Sequence, residues 1–133
     1  MLIKKTLKTE ASGLYDITAE VKAAVAASGI REGLCVVYGA DADTALMLST
    51  ACDAKAHEDI IDDYARIFPP RLDYAFEECK YKAAAHSKSA VTGSSIDVII
   101  SGGEAVLDAA QGIFLAEFLK NKERTYCIKC LGE

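Results

Sequence analysis

The 133 residues predict an α+β fold, a single domain made largely of antiparallel β-sheet packed with about three helices. Three observations carry that expectation. Short runs rich in Val, Ile and Leu recur between turn residues and are too short to be helices. Capping residues open only a few alanine-rich or charged stretches. The apolar runs of the last third are joined by hairpin-length connections, which favour antiparallel pairing. At this length one core buries roughly two thirds of the unfolded surface, so a single domain needs no staple.

The elements follow in order. Residues 2–9 alternate, with lysines among them, as an edge or half-exposed strand does. Ser12-Gly13 turns the chain, 14–17 is a short extended piece, and Thr18 is placed to cap the helix AEVKAAVAAS, with Gly29 just past its end. Val21, Ala24 and Val25 form its buried stripe. LCVVY at 34–38, bounded by Gly33 and Gly39, reads as a central strand. TALMLST at 44–50 reads as a second, paired with it through a connection carrying Asp41 and Asp43.

Asp53 can cap a helix over about 54–67, with Ala56, Ile60, Ile61 and Tyr64 facing inward, and Phe68-Pro69-Pro70 ends it. RLDYAFEEC has no clear period and should wrap the surface. KYKAAAHSK is a short helix with His86 in its last turns and Gly93 beyond. IDVII, AVLD, GIFLAEF and TYCIKCL then read as a four-stranded meander.

Composition excludes several classes. A net charge of -5 argues against nucleic acid or an anionic membrane as partner. No run approaches 18 apolar residues and the N-terminus lacks a signal-peptide core, so a soluble cytoplasmic protein is expected. Five cysteines, mostly scattered, suggest buried thiols rather than a disulfide framework. Cys127 and Cys130 form a C-x-x-C. In a strand, however, residues three apart face opposite ways, and a redox pair needs a helix N-terminus. No P-loop or G-x-G-x-x-G is present. His57-Glu58 cannot complete H-E-x-x-H because position 61 is Ile61, so His57 reads as a solvated helix residue.

Two constellations remain. In AHSKSAVTGSS and the residues before it, Lys82, His86 and Ser89 share one helical face, a polar stripe among alanines that leaves room for a ligand; the alternative is a solvated face. In an extended segment, Asp41 and Asp43 would lie about 7 Å apart on one face and could share a magnesium ion; the alternative is an exposed acidic loop.

GLYDITAEVKAAVAASGIREGLCVVY, then AHSKSAVTGSS, then AAQGIFLAEF and the closing LGE resemble the YjbQ-like family, the secondary thiamine-phosphate synthases, over nearly the whole chain. H-x-K-x-x-x-x-G-S-S and QGIFLAEF are the specific matches, and His86, Lys88, Gly93, Gln111 and Glu117 survive. The resemblance implies a compact homotrimer with a polar pocket beside the His86 helix. The activity it implies joins a pyrimidine diphosphate to a thiazole phosphate. The departures fall within the pocket. Asp41-Ala42-Asp43-Thr44 stands for H-T-T-A, and Ser49, Thr50 and Ala51 for an Asn-Glu-Asn-like run. Lys82 and Ala84 replace Asn and Asp, and Ala110 a tryptophan.

Two functions are therefore expected as alternatives. One is a transferase in which His86 is catalytic, Lys82, Lys88, Ser89 and Gln111 hold a phosphorylated small molecule, and Asp41 with Asp43 binds magnesium. The other is a non-catalytic trimeric paralogue that binds a phosphorylated metabolite or a partner; the altered polar set favours it, since a preorganised site rarely keeps its chemistry after such loss. The apolar GIFLAEF strand is the expected trimer contact.

Overall fold

Two sheets rather than one organise the chain in the computed structural model, which describes residues 2–51, 53–119 and 122–133. The elements run β1 (Leu2–Thr9), β2 (Gly13–Asp16), α1 (Thr18–Ser28), β3 (Glu32–Gly39), β4 (Thr44–Thr50), α2 (Ala54–Ile67), α3 (Lys80–Thr92), β5 (Ser95–Ser101), β6 (Glu104–Ala105), β7 (Gln111–Glu117) and β8 (Lys122–Gly132). A five-stranded sheet has the order β1-β8-β3-β5-β6 and a three-stranded sheet the order β2-β7-β4, with every pairing antiparallel. The α+β class is as expected.

The reason for the second sheet lies in β7. All six residues from Gly112 to Glu117 are buried, so this strand needs cover on both faces. Ile113 and Leu115 pack with Val37, Val98, Ile100 and Ile128 of the larger sheet and with Val21 and Val25 of α1. On the other face Ala116, with Ala45 of β4, meets Ala85 of α3, Phe118 and the half-buried Ile61 and Tyr64 of α2. The layers are thus the large sheet, then the small sheet with α1 beside it, then α2 and α3.

This corrects the expected meander. β7 and β8 lie in different sheets, and so do β3 and β4, which makes the connection 40–43 a crossover. A short connection fixes neighbourhood but not which sheet each strand joins. Of AVLD, only Ala105 is in a strand, with Glu104. Residues Gly112 to Phe118 of GIFLAEF are buried within the chain itself and so do not offer the expected trimer contact. Lys120 and Asn121 of the expected KNKER turn lie outside the described residues.

Local signals were more reliable. Asp53 caps α2, its Oδ1 accepting from Lys55 N at 2.8 Å. Gly29 ends α1 at φ 71°. Among the described residues β1 is an edge strand paired to β8 alone. Thr18, however, is inside α1: its hydroxyl accepts from Ile113 N at 2.9 Å and so ties the helix to β7, while Asp16 Oδ1 accepts from Thr18 N at 2.9 Å. No helix among the described residues is long and apolar enough to cross a membrane.

Candidate functional site

α3 is longer than its sequence suggested, and His86 sits at its middle rather than in its last turns. Lys82 and His86, one turn apart, line the same cleft of about 660 Å³. Asp41 and Asp43 from the β3–β4 crossover face them, Phe76 and Glu78 come from the loop before α3, and Glu123 and Arg124 from β8. Within this loop Tyr74 donates to Pro69 O at 2.8 Å, and Arg71 pairs with Asp73 at 2.8 Å. Phe76 from this loop stands edge-on to the His86 ring, with centroids 5.2 Å apart. A smaller hollow of about 350 Å³ adjoins on the far side of Asp41 and His86, lined by Tyr38, Gly39, Ser89 and Ser94 among others.

The cleft's charged wall is built between the sheets. Glu117 continues the Ile113–Leu115 face of β7 and has no exposed surface. Arg124 shares the inward face of β8 with Tyr126 and Ile128. Their side chains make a bidentate pair: Arg124 Nε donates to Glu117 Oε1 and Nη2 to Oε2, both at 2.7 Å. Thr9 of β1 donates its hydroxyl to Glu117 Oε1, and Leu119 N donates to Oε2 at 3.1 Å. Arg124 Nη1 reaches on to Asp43 Oδ1 at 2.8 Å and Asp41 Oδ2 at 3.7 Å. Burial by itself lowers the Arg124 pKa, but the hydrogen bonds and charge of Glu117, followed by those of Asp43, outweigh it and leave the pKa raised.

That arrangement bears directly on the expected magnesium pair. Asp41 and Asp43 do come together, but around a guanidinium that already supplies their positive charge. Arg124 is in turn anchored by Glu117, so the donor set does not fit a resident magnesium ion. Among the described residues no cluster of three His, Cys, Asp or Glu side chains is gathered to hold a metal.

The other site residues separate. Ser89 is buried and donates to the carbonyl of Thr44, fastening α3 to β4. Lys88 points away from His86 into a hollow of about 300 Å³ with Tyr81, Ala84, Pro70 and Leu119, its Nζ 5.9 Å from the Phe118 ring centre. Burial there lowers its pKa. Gln111 is at the opposite end of β7 from Glu117 and accepts from Asp108 N at 3.5 Å. Of the expected phosphate ligands, only Lys82 lies with His86 in the main cleft, while Ser89 lines the smaller hollow.

His57 is not a solvated residue: its Nε2 donates to Thr50 O at 2.6 Å and its ring stands edge-on to Phe114. Sequence reasoning also missed Phe76, Glu78, Glu123 and Arg124. For Arg124 the signal existed, since alternation in RTYCI places it in register with Tyr126 and Ile128. For Phe76 and Glu78 the aperiodic loop offered none.

The sequence model of a family described as "UPF0047 protein YjbQ-like" matches residues 4–133. A UPF0047 protein of Methanocaldococcus jannaschii is 30% identical over 134 residues, covering 100% of this chain and 96% of its own. The UPF0047 protein YugU of Bacillus subtilis is 31% identical over 132 residues, 98% of this chain and 96% of its own. The crystal structure of a YjbQ/UPF0047 protein from Clostridium acetobutylicum superposes with a TM-score of 0.92 at 32% identity, covering 97% of this chain and 99% of that one.

Proposed function

Because the chain belongs to the YjbQ-like UPF0047 family, we propose that its His86 cleft is a small-molecule site that binds a phosphorylated metabolite without catalysing thiamine-phosphate synthesis. One observation carries this reading: the expected metal pair is occupied by Arg124, which Glu117 locks in place. A diphosphate leaving group would find no divalent cation held there to neutralise it.

His86 supports the same reading. Its ring stands edge-on to Phe76 and, among the described residues, makes no hydrogen bond to a carboxylate, whereas a general base is ordinarily oriented by a third group. The cleft lining is mixed, with Asp41, Asp43, Glu78 and Glu123 facing Lys82 and Arg124. It suits a ligand that carries a phosphate for Lys82 and His86 and hydrogen-bond donors for the carboxylates.

The homotrimer implied by the family belongs to the proposal. Surface for it lies on the outer face of the large sheet, where Leu131, Leu34 and Ile99 are exposed side by side across β8, β3 and β5. The transferase is the competing reading. Incubation with a pyrimidine diphosphate and a thiazole phosphate, with magnesium, separates the two. No thiamine phosphate, together with phosphate-induced NMR shifts at Lys82 and His86, is expected; His86-dependent turnover would establish the transferase instead.

A further inference from the structure

Cys35 and Cys130 oppose one another across the β3–β8 ladder. Glu133 N donates to Glu32 O at 3.0 Å, so the Glu32–Glu133 position is hydrogen-bonded. Antiparallel positions alternate, which makes Cys35–Cys130 a non-hydrogen-bonded pair. In such pairs the Cα atoms are about 4.5 Å apart and the side chains lie closest, within the span of a disulfide.

Both side chains belong to the inner face. Cys35 is fully buried in the core, and Cys130 packs against the same cluster from a partly exposed position. The two thiols sense each other: burial, and then the charge of Cys130 and a hydrogen bond with it, raise Cys35 to about 12. The C-x-x-C neighbour, Cys127, is on the opposite face opposite Tyr38 and Lys4, so the pair that sequence spacing advertises is not the pair that the fold assembles.

We infer that Cys35 and Cys130 are a modification site that forms a reversible cross-strand disulfide with a low-molecular-weight disulfide as oxidant. The Cys130 thiolate, the accessible member, attacks one sulfur of the small disulfide, forming a mixed disulfide and releasing one small thiolate. That thiolate accepts the Cys35 proton. The Cys35 sulfur then attacks Cys130 Sγ, expelling the second small thiolate, which takes up the proton that Cys130 lost on ionising. Two protein thiols are oxidised and one small disulfide is reduced to two thiols. The second step is the slower, because Cys35 ionises reluctantly.

The test uses the full chain, folded, with oxidised glutathione, followed by alkylation and peptide mapping. One Cys35–Cys130 link per chain, reversed by dithiothreitol, is expected. Cys35→Ser should stop at the glutathione adduct on Cys130, and Cys130→Ser should leave Cys35 a thiol. The inference is overturned by a link through any other cysteine, by a Cys130 adduct that persists in the wild-type protein, or by two unreacted thiols at 35 and 130. Mapping of the wild-type chain decides the matter even if a variant fails to fold.

Discussion

Glu117→Ala removes a carboxylate with no exposed surface that receives both donors of a bidentate arginine, a threonine hydroxyl and a backbone amide. Breaking a buried ion pair from one side costs about 3–5 kcal/mol, because the surviving charge stays buried. Asp43 at 2.8 Å and Asp41 at 3.7 Å still face Arg124 and moderate that cost. Loss of the acceptor of the part-buried Leu119 amide pushes the other way by about 1 kcal/mol. The expected loss is therefore about 4 kcal/mol. For a chain of 133 residues this lowers Tm by roughly 12–20 °C. Urea unfolding followed by circular dichroism, at fixed protomer concentration, measures it. Replacing both partners by leucine removes the stranded guanidinium but also takes Arg124 from the buried Asp43, so it should recover only part of the loss. A Glu117→Ala loss below about 1 kcal/mol would falsify the claim that this pair is dry and tightly held.

Four further outcomes are expected. Gly33→Ala would set a Cβ 2.0 Å from Leu131 O, which should cost at least about 2 kcal/mol as the β3–β8 ladder shifts; a melting curve unchanged within error would show that the ladder yields freely. Magnesium titrated into the wild-type protein should give no saturable heat, and saturable binding that disappears in Asp41→Asn would restore a metal role. Ile99→Lys should leave the fold intact but convert the proposed trimer to monomers in light scattering, and a trimer that persists, or a wild-type protein that is already monomeric, would refute this contact. Lys88, whose pKa is lowered by burial, should lose its proton below the ordinary lysine range in an NMR titration. The folded state then binds fewer protons than the unfolded one, so stability gains from Lys88 as pH rises from its folded pKa to its unfolded value. A Lys88 that titrates with the exposed lysines would contradict this.

Most of the secondary structure was legible because it is written locally. Asp53, Gly29 and the run at 44–50 carry their own instructions as a cap, a helix stop and an apolar run too short for a helix. Sheet membership was not legible, because the continuous apolar run of β7 states that both faces are covered without stating by what. The site was half visible. Helical periodicity joins Lys82 to His86, whereas Asp41 and Asp43, expected together from the spacing of an extended segment, are brought together by a turn before β4. Nothing local says that Arg124, more than eighty residues away in sequence, fills the place between the two carboxylates. Lys88 illustrates the reverse failure: two residues from His86 along a helix, it is turned to another side and opens on a different hollow.

The position of β8 in the large sheet has a consequence for synthesis. It lies between β1 and β3 and pairs with both, in registers running from Leu2 with Lys129 to Gly39 with Tyr126, yet it is the last of these strands to leave the ribosome. Until it arrives, β1 has no partner and one side of β3 is unpaired. Closing contacts across nearly the whole sequence is slow, and open strand edges invite pairing with other nascent chains. Until β8 has emerged, lysines 4, 5 and 8 of β1 provide charge against premature association along that open edge.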